Sequence, residues 1–198
     1  MKNVSRKTTP LYPTFEKRIR DGIDGLIRDK VTPWVFMPAG PPFKMRTFHG
    51  KEISYSGIKF DGSPRRVFWG RFIEPFLEDI SINEMNAAVQ MAHGRRVNLR
   101  ILLPEIRALL HAGIEKVYVQ MADVDRRLRG EGFPQRVQPK AVDGLILSMM
   151  NFIDERIQAE IAMWRPRSWW EDFYENNKFL IWAIGVIVAL IGALAKFF

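Results

Sequence analysis

The sequence predicts a mainly α fold: a helical domain with an antiparallel helix hairpin and a small β-hairpin element, plus one C-terminal transmembrane helix. Three observations predict it. Apolar residues recur every three or four positions over 103–128 and 142–164, alternating apolar residues flank a turn-rich segment near residue 60, and residues 179–195 form an uncharged apolar run. The expected organisation is a mainly helical domain over 1–167, with the β-element at about 45–70 and the helix hairpin at about 104–164. A juxtamembrane and transmembrane helix follows over 168–198.

Composition bounds the reading first. With 47% apolar and 26% charged residues the 198-residue chain is globular rather than disordered. Thirty Lys and Arg against 22 Asp and Glu favour anionic lipid headgroups or nucleic acid as neighbours, although such an excess is also ordinary for a soluble domain. Cysteine is absent, which excludes disulfides, thiolate metal sites and cysteine nucleophiles. The first twenty residues carry Lys2, Arg6, Lys7, Lys17, Arg18 and Arg20 without an apolar run, so no secretory signal is expected there.

Taking the elements in order, Phe15, Ile19, Ile23, Leu26 and Ile27 mark an amphipathic helix weakened by Gly22 and Gly25. Residues 32–42 are rich in proline. Ile53, Tyr55, Ile58 and Phe60 then lead into Asp61-Gly62-Ser63-Pro64 and out through Val67, Phe68 and Trp69, the pattern of a β-hairpin with Gly57 as a bulge. Ser81 and Glu84 have capping-box spacing, predicting a helix that begins there and ends at Gly94.

The longest stripe runs Leu103, Ile106, Leu110, Ile114, Val117, Met121, Val124 and Leu128. Pro104 suits the first helical position and Gly130 closes the helix. The same stretch also admits two strands, 97–103 and 116–121, around a short helix. After Gly132 and Pro134 a second stripe runs Val142, Leu145, Ile146, Met149, Phe152, Ile153, Ile157, Ile161 and Trp164, opened by Pro139 and ended by Pro166. A short connection between helices of similar length predicts that they lie antiparallel with their stripes facing.

The apolar run reads FLIWAIGVIVALIGALA from Phe179 to Ala195, and Lys196, Phe197 and Phe198 extend it. About twenty residues at 1.5 Å each match a hydrocarbon core of roughly 30 Å. Lys196 then snorkels to the far interface. Upstream, Ser168 and Glu171 again have capping-box spacing, and Trp169, Trp170, Phe173, Tyr174 and Lys178 suit the headgroup layer. Arg165, Arg167 and Lys178 precede the span and Lys196 alone follows it, so the N-terminal domain is expected on the cytoplasmic side of a single-pass, tail-anchored protein. Gly185, Ala189, Gly192 and Ala193 share one face of this helix, where small side chains let helices approach closely, and a homo-oligomer is expected.

Residues at the spacing of a catalytic or ligand-binding motif are few. His49, His93 and His111 lack companions at metal-ligand spacing, and His111 with Glu115 reads as a surface pair. Phosphate-loop, HExxH and GxSxG patterns are missing, and Asp21-Gly22-Ile23-Asp24-Gly25 lacks calcium-loop spacing. Asp123 with Asp125 and Asp154 with Glu155 read as solvated faces. Arg65 and Arg66, Arg95 and Arg96, and Arg126 to Arg129 are basic clusters without the interleaved aromatics of a nucleic-acid signature, so lipid headgroups are the favoured phosphates and nucleic acid the lesser expectation. No catalytic residue, metal or cofactor is expected.

Trp69-Gly70-Arg71 resembles the Trp-Gly-Arg of tail-anchored apoptosis regulators. The resemblance covers three residues, the other signature motifs of that family are missing, and it implies no role for any residue here. The sequence as a whole favours a non-enzymatic, membrane-tethered and oligomerising scaffold or adaptor that holds a protein partner at the cytoplasmic membrane face. A membrane-permeabilising effector of lysis or defence type, and a membrane-bound enzyme with dispersed site residues, are the alternatives.

Overall fold

The computed structural model describes residues 8–36, 43–55, 68–130, 139–165, 173–174 and 177–194. The chain divides into two compact units, Met1–Trp164 and Arg165–Phe198. Among the described residues it is mainly helical, with one two-stranded antiparallel sheet.

In the first unit, helix α1 (Tyr12–Leu26) buries Phe15, Ile19, Ile23 and Leu26, the face its spacing predicts. Its start is held from a distance. The Glu105 carboxylate accepts hydrogen bonds from the Thr9 amide (3.0 Å) and the Thr9 hydroxyl (2.6 Å), pinning the chain just before α1. At its end α1 widens into a π-turn, Ile27–Val31, and continues as α2 (Thr32–Phe36).

The β-hairpin lies earlier than its sequence signal suggests. Strands β1 (Phe43–Arg46) and β2 (Glu52–Tyr55) pair with Met45 opposite Ile53, so Ile53 and Tyr55 belong to the second strand. The turn is Thr47–Lys51, closed by the Thr47 amide on the Lys51 carbonyl (2.8 Å), with Gly50 at φ +81°. That positive φ is the conformation for which glycine is suited. Gly57, Ile58, Phe60, the Asp61–Pro64 turn and Val67 lie outside the described residues. Phe68 and Trp69 are not strand: Trp69–Ile73 is a second π-turn that leads into α3 (Glu74–Arg95). The alternation around residue 68 arises instead from burial, since Phe68, Trp69, Phe72 and Ile73 all face the core.

Ser81 and Glu84 therefore lie inside α3 rather than at its start. The Ser81 hydroxyl donates to the Leu77 carbonyl one turn back (2.6 Å), and Glu84 is buried, so neither is free to cap. The helix ends not at Gly94 but with Arg96 in the left-handed conformation, φ 53°.

Helix α4 (Leu99–Gly130) is continuous, which rules out the two-strand reading. It begins five residues before Pro104, because the Asn98 side-chain oxygen accepts the Arg100 amide (2.9 Å) and supplies the N-cap. Leu103, Ile106, Leu110, Ile114, Val117, Met121 and Val124 are buried, as their spacing predicts. Helix α5 (Pro139–Met163) buries Met149, Ile153 and Ile157 against the same core. Arg107 of α4 meets Asp154 of α5, a pairing that requires the two helices to run antiparallel given the short connection between them.

The core is finished by aromatics. The Trp34 ring meets Phe68 and Phe72 at centroid distances of 4.6 and 6.0 Å, and Tyr55 meets Phe68 at 5.3 Å, tying α2 and the hairpin to the body. Asp125, expected on a solvated face, is fully buried, whereas Asp123 pairs with Arg126 at the surface.

In the second unit, α6 (Lys178–Leu194) has seventeen residues. Asn177 precedes it, its amide and side-chain nitrogen both donating to the Phe173 carbonyl, at 3.1 and 2.8 Å. Among the described residues no helix is long and apolar enough to cross a membrane.

Candidate functional site

Three features of the molecule are candidates for function. The first is α6. Phe179, Leu180, Trp182, Ile184, Val186 and Ile187 are all exposed, Phe179 by 80% and Trp182 by 66%. At about 100° per residue, positions 179, 180, 182, 184, 186 and 187 cover roughly 200° of the helix circumference, a broad band rather than the narrow stripe of an amphipathic helix. Of the residues expected at the headgroup layer, Phe173, Tyr174 and Lys178 are exposed. Trp169, Trp170 and Lys196 lie outside the described residues, as do Ser168 and Glu171. Of the expected helix-contact residues, Gly185 is exposed and an added Cβ there would meet nothing within 4 Å. Ala189, Gly192 and Ala193 belong to α6, and their side-chain surroundings lie outside the described residues.

The second feature is a polar cluster on the hairpin. The Arg107 guanidinium donates two hydrogen bonds to Asp154, and His111 Nε2 lies 2.9 Å from Asp154 Oδ1 without hydrogen-bond alignment. The hydrogen bonds from Arg107, helped by the nearby imidazole, hold the Asp154 carboxyl below the usual range against a smaller desolvation effect. His111 thus faces Asp154 of the opposite helix rather than pairing with Glu115. One carboxylate shared by two basic groups is a clamp between helices; it contains no hydroxyl or thiol nucleophile. Among the described residues no three His, Asp or Glu side chains gather as metal ligands.

The third feature is a cleft of about 280 Å³ in the first unit. One wall is the end of α1 and its π-turn, contributing Asp21, Gly22, Gly25, Leu26, Asp29 and Lys30. The other wall is Phe72 and Phe76, with Phe48 from the hairpin turn alongside. The helix register brings these two walls together. Arg18 pairs with Glu84 at 2.9 Å and Gly22 packs on Ile80, so α1 and α3 run antiparallel, and residues of both π-turns, Asp29 and Lys30 of one and Phe72 of the other, line the cleft.

Neither α-helical periodicity nor composition announces a π-turn, and the cleft was not foreseeable from the sequence. The Trp69-Gly70-Arg71 segment forms part of the second π-turn, with Trp69 buried and Arg71 donating to the Tyr55 hydroxyl (3.3 Å).

No family model, no curated protein and no solved structure matches this chain.

Proposed function

We propose that the chain is a membrane-tethered, oligomerising scaffold or adaptor: residues 178–198 anchor it in a bilayer as a single-pass helix, and the helical body holds a protein partner at the cytoplasmic membrane face. The observation that carries the reading is the broad band of exposed apolar side chains on α6. Six large apolar residues facing water would cost about 1.5–3 kcal/mol each relative to burial, so a bilayer or another apolar surface is the environment in which this helix is favoured.

The described helix of seventeen residues is about 25 Å long, short of a hydrocarbon core of roughly 30 Å. The sequence continues through Ala195, Lys196, Phe197 and Phe198, which brings the segment to spanning length if they extend the helix. The open face at Gly185 supports association between copies, because close backbone approach is the main source of helix attraction in lipid. Arg165, Arg167 and Lys178 before the span support a cytoplasmic body.

The test is fractionation of cells expressing the full chain. Retention in the membrane pellet after alkaline carbonate extraction, together with crosslinked species larger than one chain, is the expected outcome. Recovery of monomer in the aqueous supernatant without detergent would remove the anchor, and crosslinking in native membranes that yields monomer alone would remove the scaffold reading while leaving the anchor intact.

A further inference from the structure

We propose that the cleft between α1 with its π-turn and the Phe72–Phe76 segment is a binding site for a small organic cation with an apolar body, an aryl- or alkylammonium. This goes beyond the membrane reading and does not depend on it, since every lining residue belongs to the first unit.

Size comes first. Ligand clefts run from roughly 300 to 1,000 Å³, and a cleft of about 280 Å³ takes a ligand with one ring or a short chain. Its surface chemistry follows from the residues. Phe48, Phe72 and Phe76 present three phenyl rings, with Phe48 and Phe76 edge to face at 6.1 Å, and Leu26 adds an aliphatic floor. These rings suit the apolar body of a ligand, an aryl ring or a short alkyl chain.

Charge then selects and orients the ligand. Asp29 is already engaged, both carboxylate oxygens accepting from Arg28 at 2.8 and 3.2 Å. Asp21 makes no ion pair or hydrogen bond among the described residues, so its carboxylate is available at one end of the cleft. Lys30 lies nine residues further along the same wall and repels a cation from the other end. An ammonium group is thereby directed to the Asp21 end and the apolar body toward Leu26, Phe72 and Lys30. Gly22 and Gly25 contribute to the same wall without side chains. A Cβ on Gly25 would meet only an Arg28 nitrogen at 3.8 Å, so a larger residue there has room to occupy the cleft.

The experiment uses the full chain in detergent micelles or nanodiscs with labelled Ile and Leu methyl groups, and 2-phenylethylammonium as the probe. The Ile80 methyl, which packs on Gly22, and the Leu26 methyls report on the cleft. Saturable shifts of these signals are expected, with neutral 2-phenylethanol binding about fivefold more weakly, the size of one exposed charge contact. Asp21→Asn, at an exposed position, should weaken the ammonium about fivefold and leave the alcohol unchanged. Gly25→Leu should abolish both. Equal affinity for ammonium and alcohol, an unaltered affinity in Asp21→Asn, or no saturable shift at either methyl would overturn the proposal.

Discussion

Ile23 of α1 lies against the backbone of Gly113 in α4, so closely that a Cβ at position 113 would come within 2.9 Å of Ile23 Cγ1 and 3.2 Å of its Cδ1. At Gly22, the neighbour of Ile23 in sequence, a Cβ would be blocked on the other side, 2.6 Å from Ile80 Cδ1. Helix α1 is thus wedged between α3 and α4, with one glycine at each interface, and the two differ in what blocks them. At Gly113 the obstacle is a buried side chain close to its own backbone, whereas at Gly22 it is the tip of a partly exposed one.

Gly113→Ala is therefore expected to destabilise the protein by about 1–2 kcal/mol, because overpacking outweighs the gain of up to about 1 kcal/mol in helix propensity. Gly22→Ala should be neutral or stabilising, since Ile80 can rotate aside. Denaturant titration of both variants checks this, and the order of the two is the decisive result.

Glu84 is buried beside Arg18, with its Oε1 2.9 Å from the guanidinium and its Oε2 without a hydrogen-bond partner among the described residues. Burial pushes its carboxyl above the usual range, more than Arg18 pulls it down. A raised folded value means the native state binds the proton more tightly, so this contribution to stability is complete in acid and is lost as pH rises from the ordinary carboxylate range through the raised value. Stability of the wild type relative to Glu84→Gln should fall over that window. Arg18→Ala should cost about 1–3 kcal/mol at neutral pH, where it strands the buried charge, and less in acid. A pH-independent difference between wild type and Glu84→Gln would contradict this.

Asp154 has the opposite sign. Its carboxyl is lowered chiefly by the hydrogen bonds from Arg107, so the stability it adds is present above the ordinary carboxylate range and lost as pH falls through the lowered value. Asp154→Asn should cost about 1 kcal/mol at neutral pH, a figure kept small because both partners are partly solvated. The gap to wild type should close in acid, as thermal unfolding across pH will register.

Asn98 caps the longest described helix through its side-chain oxygen. Asn98→Ala is expected to lower stability by about 1 kcal/mol, while Asn98→Asp or Asn98→Ser should retain most of it. Chemical denaturation of the three variants distinguishes a cap from a general surface effect.

Ile187 is exposed on α6. An arginine near the middle of a spanning helix opposes insertion by about 2.5–3.5 kcal/mol, so Ile187→Arg should shift part of the chain out of the carbonate-resistant membrane fraction. An unchanged distribution would count against residues 178–198 as a span.

What could be read without the structure is what depends on repetition along one helix. The stripes from Leu103 to Val124 and from Met149 to Ile157 declared both helices and their buried faces, because a 3.6-residue period is a local property of the chain. The apolar stretch 179–195 was equally plain. Local motifs misled where a distant partner decided the outcome. Ser81 and Glu84 look like a cap but sit mid-helix, because Glu84 answers to Arg18 sixty-six residues away. Asp154 looks solvated but holds Arg107 across the hairpin, and Asp125 is buried outright. The strand alternation through Trp69 gave way to a π-turn. Tertiary packing alone decided that residues of two such turns should line one cleft, since this depends on the register between α1 and α3, and interhelical register is written in pairs of residues that no local pattern joins.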